Sequence, residues 1–370
     1  MQFGYLPDDN NTQSGPATNV QARTTVLRSI YNLTKAVMSR SRVPVMDKPK
    51  PNCTVYKHVV YVKISETGST MFFDVMRRFA LKYSLARALP RFRMHFYGDE
   101  NVALIPRPAK IKQRFVRIDR PQQRFDVMYH HMVFDGDIVS RVMPRDTFYV
   151  TMLRYPWAQF KSVLNKYNLL QKYAPGNDTA IELEQFLENP YKYWRNGSVR
   201  TSAFSRNGMM MELGFPDETE DVRNDDLVIQ AYIKYLEQRF GLVMLVEFLD
   251  QSLILLRRML CWEMEDILYT PMEGNNYPFK GNKDQKLISA HQKWSKADYA
   301  VYRHFKEKLL GLINKQPAEF HDEVLLFKRA LEYVKICGSP SNVRILRRKG
   351  KPYASDDVIN CSSQPVRKIT

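Results

Sequence analysis

Apolar positions along the chain fall into two alternating spacings. Short, mainly apolar runs rich in β-branched or aromatic residues occur at 58–63, 125–130, 147–153 and 242–248, the last broken only by Glu247. Runs of that length read as strands buried on both faces. Between them apolar residues recur at every third and fourth position, the signature of a helix face. Phe72, Val75, Met76 and Phe79 follow the first run, in a helix expected to reach about Leu89 and to stop at Pro90. The spacing predicts helices over 157–170, over 228–239 closed by Gly241, and over 250–262 with Asp250 as the cap. It predicts two more over 294–312 and 323–333. Arg91 to Tyr97 reads as a further strand. Strand–helix alternation of this kind predicts an α/β fold with a mainly parallel central sheet flanked by helices.

The ends of the chain break this pattern. Residues 1–54 carry Pro44, Pro49 and Pro51 and read as a flexible stem or linker, with one possible helix over 24–38. Residues 55–340 form the expected single domain, and 341–370 a basic, polar tail.

Ligands of open parallel sheets bind beyond the carboxyl ends of the strands. Ser65 to Thr70, His130, His131, Arg154 and Glu247 all fall at such ends. The turn Thr67-Gly68-Ser69-Thr70 joins strand to helix with no room for a long loop. Backbone N–H groups and hydroxyls at a helix N-terminus can hold an anion. The turn therefore reads either as a phosphate cradle or as an ordinary strand-to-helix turn with a hydroxyl cap. It is not a Walker A loop, because GxxxxGK[ST] is absent.

Charge narrows the ligand class. The net charge is +17, which favours an anionic partner: a nucleotide, an acidic glycan, a membrane surface or nucleic acid. No zinc-finger spacing, RNP-like motif or basic heptad helix supports nucleic acid. The basic stretch 107–124 reads as a solvated loop or as a flap over an anionic ligand. Cys53, Cys261, Cys337 and Cys361 lack CxxC spacing, so no metal is expected. In an oxidising compartment they form two disulfides with three possible pairings, and otherwise stay thiols. Cys261, inside an apolar helix, is the one most expected to remain a thiol. Asn10, Asn32, Asn52, Asn177, Asn196 and Asn360 each begin an N-x-[ST] triplet, which points to a glycoprotein of the secretory pathway. No apolar run is long enough to span a bilayer, and the polar start is not a signal peptide. An N-terminal anchor outside this chain is therefore expected.

Five collinear blocks carry a resemblance. They are VVYVKISETGSTMFFDVMRRFALKYSLARALP, FDVMYHHMVFD, DTFYVTMLRYPWAQFKSVLNKY, FSRNGMMMELGF and LEQRFGLVMLVEFLDQSLILLRRMLCWEMEDILY. Together they resemble the galactose-3-O-sulfotransferases, the family that includes galactosylceramide sulfotransferase. The first is similar to the family's K-T-H-K-T-[AG]-S-S-T loop and following helix. The second resembles a block with an Asn-His, the third a V-T-[IM]-L-R-x-P-x-x-x-F-x-S block, and the fourth an A-R-N…D-L-G segment. The resemblance implies a P-loop-like sulfotransferase fold and a Golgi type II membrane enzyme. It implies a sulfuryl donor, 3′-phosphoadenosine 5′-phosphosulfate (PAPS), and a galactosyl glycolipid or glycan as acceptor. Lys63, Thr67, Gly68, Ser69 and Thr70 would hold the 5′-phosphosulfate. Arg154 and Ser162 would hold the 3′-phosphate, and a guanidinium fork with a hydroxyl suits phosphate oxygens.

Two positions depart from the family pattern. Where the family loop has a histidine and then a lysine, this chain has Ser65 and Glu66. Serine is no base at neutral pH, and a carboxylate beside a sulfate repels it. His131 is the candidate replacement base, since histidine titrates in the range a base needs. Lys63 is the candidate replacement cation, and Glu66 a further candidate base. His130 points to the opposite face and is expected to be structural. Two functions follow: a working sulfotransferase, or a catalytically impaired relative that still binds nucleotide or glycan.

Overall fold

The computed structural model describes residues 16–38, 53–89, 124–173, 181–194, 203–216, 220–271, 281–347 and 352–362. Four strands form the central sheet: β1 (Val59–Val62), β2 (Val127–Met128), β3 (Phe148–Leu153) and β4 (Leu242–Leu245), in the order β2-β1-β3-β4. All three pairings are parallel, with Val59 opposite both Val127 and Phe148, and Val150 opposite Leu242. Every residue of these strands is buried. Helices on both faces exclude water, so unbroken apolar runs replace the alternation of a half-wet sheet. Because the strands are parallel, their carboxyl ends share one edge. Lys63 and His131 pair there as an isolated parallel bridge, one residue beyond β1 and three beyond β2.

The longer helices among the described residues are α1 (Pro16–Met38), α2 (Ser69–Lys82), α3 (Pro156–Lys166), α4 (Asp226–Arg239), α5 (Leu249–Leu260), α6 (Gly281–Trp294), α7 (Lys296–Asn314) and α8 (Glu319–Cys337). The main core surrounds the sheet. A second, aromatic core lies beside α3 and α6, built on Trp157, Phe160, Phe186, Phe204 and Trp294. Among the described residues no helix is long and apolar enough to cross a membrane.

Several expected boundaries move. Helix α2 stops at Lys82, not Leu89: Ser84 adopts φ 51°, and the N–H groups of Ala86 and Ala88 bond to Asp126 Oδ2 and the Val127 carbonyl. The sheet edge takes over donors that a longer helix would have used internally. The helix expected over 157–170 breaks after Lys166, where Asn168 turns left-handed at φ 49°. Asp250 lies within the first turn of α5 and is not its cap, which is Phe248. Strand β4 ends at Leu245, and Glu247 sits in a short 3₁₀ turn.

The cysteines are all paired, Cys53 with Cys261 and Cys337 with Cys361. This overturns the expectation of a Cys261 thiol. Cys261 is not inside the helix but at its C-cap, at φ 55°, where its side chain reaches the segment before β1.

Within the expected stem, α1 packs against α4, with Ile30 buried and Arg23 2.9 Å from Asp225. Within the expected tail, β5 (Val343–Leu346) and β6 (Val358–Cys361) form an antiparallel pair that the Cys337–Cys361 bridge ties to α8. The strand expected at 91–97 and most of the basic stretch at 107–124 lie outside the described residues.

Candidate active site

The loop between β1 and α2 is held from three sides. Ser65 donates its N–H to Glu212 Oε2 at 2.6 Å and its hydroxyl to Glu212 Oε1 at 3.0 Å. Gln159 of α3 donates to the Ser65 carbonyl at 3.2 Å. Thr67 is fully buried and donates its hydroxyl to the Ile64 carbonyl at 3.0 Å. Its hydroxyl proton is thereby committed to the backbone, leaving the N–H as the group it can offer a ligand. Gly68 is the N-cap of α2 at φ 69°, and among the described residues no side chain caps that helix. The first N–H groups of α2 thus retain donor capacity. Ser69 is buried and Thr70 exposed.

Arg154 follows β3 directly, and Pro156 at the start of α3 turns the chain back over the sheet edge. Glu247 accepts the Tyr155 N–H at 2.7 Å and fixes that turn. Ser162 and Lys166 lie four apart on α3 and so share one face. Arg154, Ser162 and Lys166 all reach the same residue. Arg154 Nη1 donates to the Glu66 carbonyl at 3.2 Å. Ser162 Oγ donates to Glu66 Oε2 at 2.5 Å, and Lys166 Nζ lies 2.6 Å from Glu66 Oε1. Burial pulls the Lys166 amine down, but the Glu66 carboxylate outweighs it and holds the lysine above its ordinary value. Glu66 itself has φ 62°, in the left-handed region.

Lys63 is buried, with its amine 4.8 Å above the Phe73 ring. Burial, reinforced by the nearby Lys166 charge, lowers it to about 8. His131 has Nδ1 3.1 Å from the Lys63 carbonyl and 3.6 Å from Glu212 Oε1. A carbonyl only accepts, so this contact places the proton on Nδ1. In the neutral ring Nε2 then carries the lone pair. His130 instead packs between Phe73 and Tyr129, and burial lowers it to about 4, so it is neutral at pH 7.

The fold therefore brings the Lys63–Thr70 loop, Arg154, Ser162 and His131 to one edge. Lys166 and Glu212 belong to the same cluster and were not singled out from sequence. The signal for Lys166 was its i+4 spacing from Ser162. For Glu212 it was a carboxylate inside the apolar run MMMELGF, since acids are almost never fully buried unless paired. Among the described residues no group of side chains is arranged to hold a metal ion.

Known proteins are similar to this chain in sequence. The sequence model of the galactose-3-O-sulfotransferase family matches residues 21–337. The chain is 28% identical over 317 residues to galactose-3-O-sulfotransferase 2 of Sus scrofa, covering 83% of this chain and 77% of that one. It is 32% identical over 267 residues to galactose-3-O-sulfotransferase 3 of Bos taurus, covering 71% and 58%. To the galactosylceramide sulfotransferase of Homo sapiens it is 28% identical over 253 residues, covering 68% and 57%. With a family match running from α1 through α8, the chain belongs to the galactose-3-O-sulfotransferase family.

Proposed function

We propose that this protein is a PAPS-dependent sulfotransferase acting on a hydroxyl of a galactose-containing glycolipid or glycan. The observation that carries this reading is the convergence of Arg154, Ser162 and Lys166 beside the uncapped start of α2. Two cations, a hydroxyl and a row of backbone donors fit the phosphate groups of such a nucleotide. When bound, the donor supplies an activated sulfuryl group that passes in line to the acceptor oxygen, with 3′,5′-ADP leaving. Arg154, Ser162 and Lys166 bind the 3′-phosphate. The N–H groups from Thr67 to Thr70 hold the 5′ end, and Lys63 adds positive charge behind the loop. His131 accepts the proton of the acceptor hydroxyl at Nε2, with Nδ1 fixed by the Lys63 carbonyl. Ser65 has no part in proton transfer, because both of its donors are bound to Glu212.

The test is transfer of labelled sulfate from PAPS to galactosylceramide and to lactose. Turnover on either supports the reading, and the acceptor used defines the substrate. No turnover with any β-galactoside, from protein that folds, rejects it.

One observation favours a second reading. The Glu66 carboxylate lies on Ser162 and Lys166, where a phosphate is expected. An impaired relative that binds nucleotide without turning it over fits that arrangement. Thermal stabilisation by 3′,5′-ADP with no sulfate transfer supports this second reading.

The secretory-pathway setting is likewise proposed, as a Golgi-lumenal protein. Two disulfides and the exposed sequon residues Asn32 and Asn360 support it.

A further inference from the structure

We infer that Glu66 is a built-in competitor for the 3′-phosphate seat, so that nucleotide binds only when this side chain swings out. The inference rests on the nucleotide site proposed above and concerns what controls its affinity. Three side chains define the seat, and all three touch Glu66. Ser162 and Lys166 hold its two carboxylate oxygens at 2.5 and 2.6 Å. Arg154 holds its carbonyl at 3.2 Å. A carboxylate and a phosphate use the same donors in the same geometry. The Ser162 hydroxyl has a single proton to donate, and a carboxylate and a phosphate brought onto the same donors repel each other at contact distance.

Charge balance points the same way. With Glu66 in place, two cations face one carboxylate. With Glu66 displaced, the same two cations face the ligand alone, which matches the roughly doubly negative charge of a phosphate monoester. The Lys63 amine lies close enough to feel both Lys166 and Glu66, and it lends further positive potential once the carboxylate leaves. Glu66 is also held at φ 62°, a conformation that a non-glycine residue keeps only when its surroundings enforce it. Its side-chain contacts and the Arg154 bond to its carbonyl are those surroundings. The side chain is about one-fifth exposed (18%), so a path into solvent is open to it.

The observed affinity of a site occupied by its own side chain equals the intrinsic affinity reduced by the open fraction. The experiment is calorimetric titration of the full chain with 3′,5′-ADP and with 5′-AMP, which lacks the 3′-phosphate. Wild type is compared with Glu66→Gln and with Glu66→Gly; the second removes every side-chain contact and suits the positive φ. The expected result is about tenfold or tighter binding of 3′,5′-ADP by both variants, with 5′-AMP changed less than about twofold. Wild type that binds 3′,5′-ADP as tightly as both variants, or more tightly, overturns the inference and leaves the nucleotide site standing. Equal gains for both nucleotides also overturn it, since Glu66 would then act on the whole site rather than on one phosphate. No binding of 3′,5′-ADP by any of the three proteins overturns the nucleotide site itself, and the inference with it.

Discussion

Arg154 serves two structures at once. Its guanidinium supports the loop through the Glu66 carbonyl and, in the function proposed above, joins Ser162 and Lys166 in holding a phosphate. Arg154→Ala should therefore weaken 3′,5′-ADP binding by about 2–4 kcal/mol, the penalty for leaving a phosphate short of a charged partner. Ser162→Ala should lose less, about 1 kcal/mol or under, because the same change also frees the Glu66 carboxylate. Titration of both variants checks the ranking, and a larger loss at Ser162 would contradict it. His131→Ala should abolish sulfate transfer in single-turnover assays while 3′,5′-ADP binds as before. Transfer that survives unchanged would remove His131 as the base. Arg154 was legible in the sequence as a residue at a strand end, whereas Ser162 was reached only through the resemblance of its block to the family's. Lys166 was not legible, because a lysine on an exposed helix face looks the same whether or not it has a partner. Glu212 was hidden for another reason: its partner Ser65 lies 147 residues away, and only the folded sheet edge brings them together.

At the level of elements, turns and helix ends decide what the site can hold, and two glycines separate the ways they do so. Gly68 has φ 69°, yet a Cβ there would meet nothing nearer than Met152 Sδ at 3.8 Å. Gly68→Ala should cost only the left-handed backbone penalty, about 1 kcal/mol. Gly214 ends the short helix Gly208–Glu212 at φ 87°, and its Cβ would lie 2.1 Å from the Phe134 carbonyl oxygen and 2.9 Å from the Tyr232 hydroxyl. The 2.1 Å contact is with backbone, so neither rotation nor a rotamer change relieves it. Gly214→Ala should destabilise by several kcal/mol, and the shift of Glu212 should loosen Ser65. Denaturant melts of the two variants distinguish the cases, and equal losses would refute the steric account of Gly214. The four strands were readable because parallel strands buried on both faces leave unbroken apolar runs. The ends of α2, α3 and α5 were not. Each is set by a left-handed residue, Ser84, Asn168 or Cys261, whose conformation depends on a distant hydrogen bond, a second helix or a disulfide.

Across the whole molecule, long-range ties and buried ionisable groups set how the fold responds to acid. Cys53–Cys261 joins segments 208 residues apart, at the entry to β1 and the end of α5. Inside the second core His291 stacks on Phe160 at 4.1 Å, bonds Tyr299 through Nδ1 at 3.0 Å, and is lowered by burial to about 3. His130 behaves alike, at about 4. Both are neutral in the folded state at mildly acid pH and charged in the unfolded state. Below about pH 6.5 the unfolded chain therefore binds more protons than the folded one, and stability falls as pH drops. Asp298 works in the opposite sense. Burial raises it to about 7 despite the N–H groups of Met209 and Met210, so between about pH 7 and 4 the folded state holds the extra proton there. The two histidines outnumber the one aspartate, and their separate shares can be measured by removing one. Between pH 7 and pH 5 each histidine should withdraw about 2 kcal/mol, taking its unfolded value as ordinary. His291→Phe keeps the stacking on Phe160 but gives up the bond to Tyr299. It should be less stable than wild type at pH 7, yet lose about 2 kcal/mol less on going to pH 5. Denaturant melts of both proteins at the two pH values provide the comparison. Parallel losses would mean that His291 takes up its proton in the folded core as readily as in water, which the packing around it does not allow.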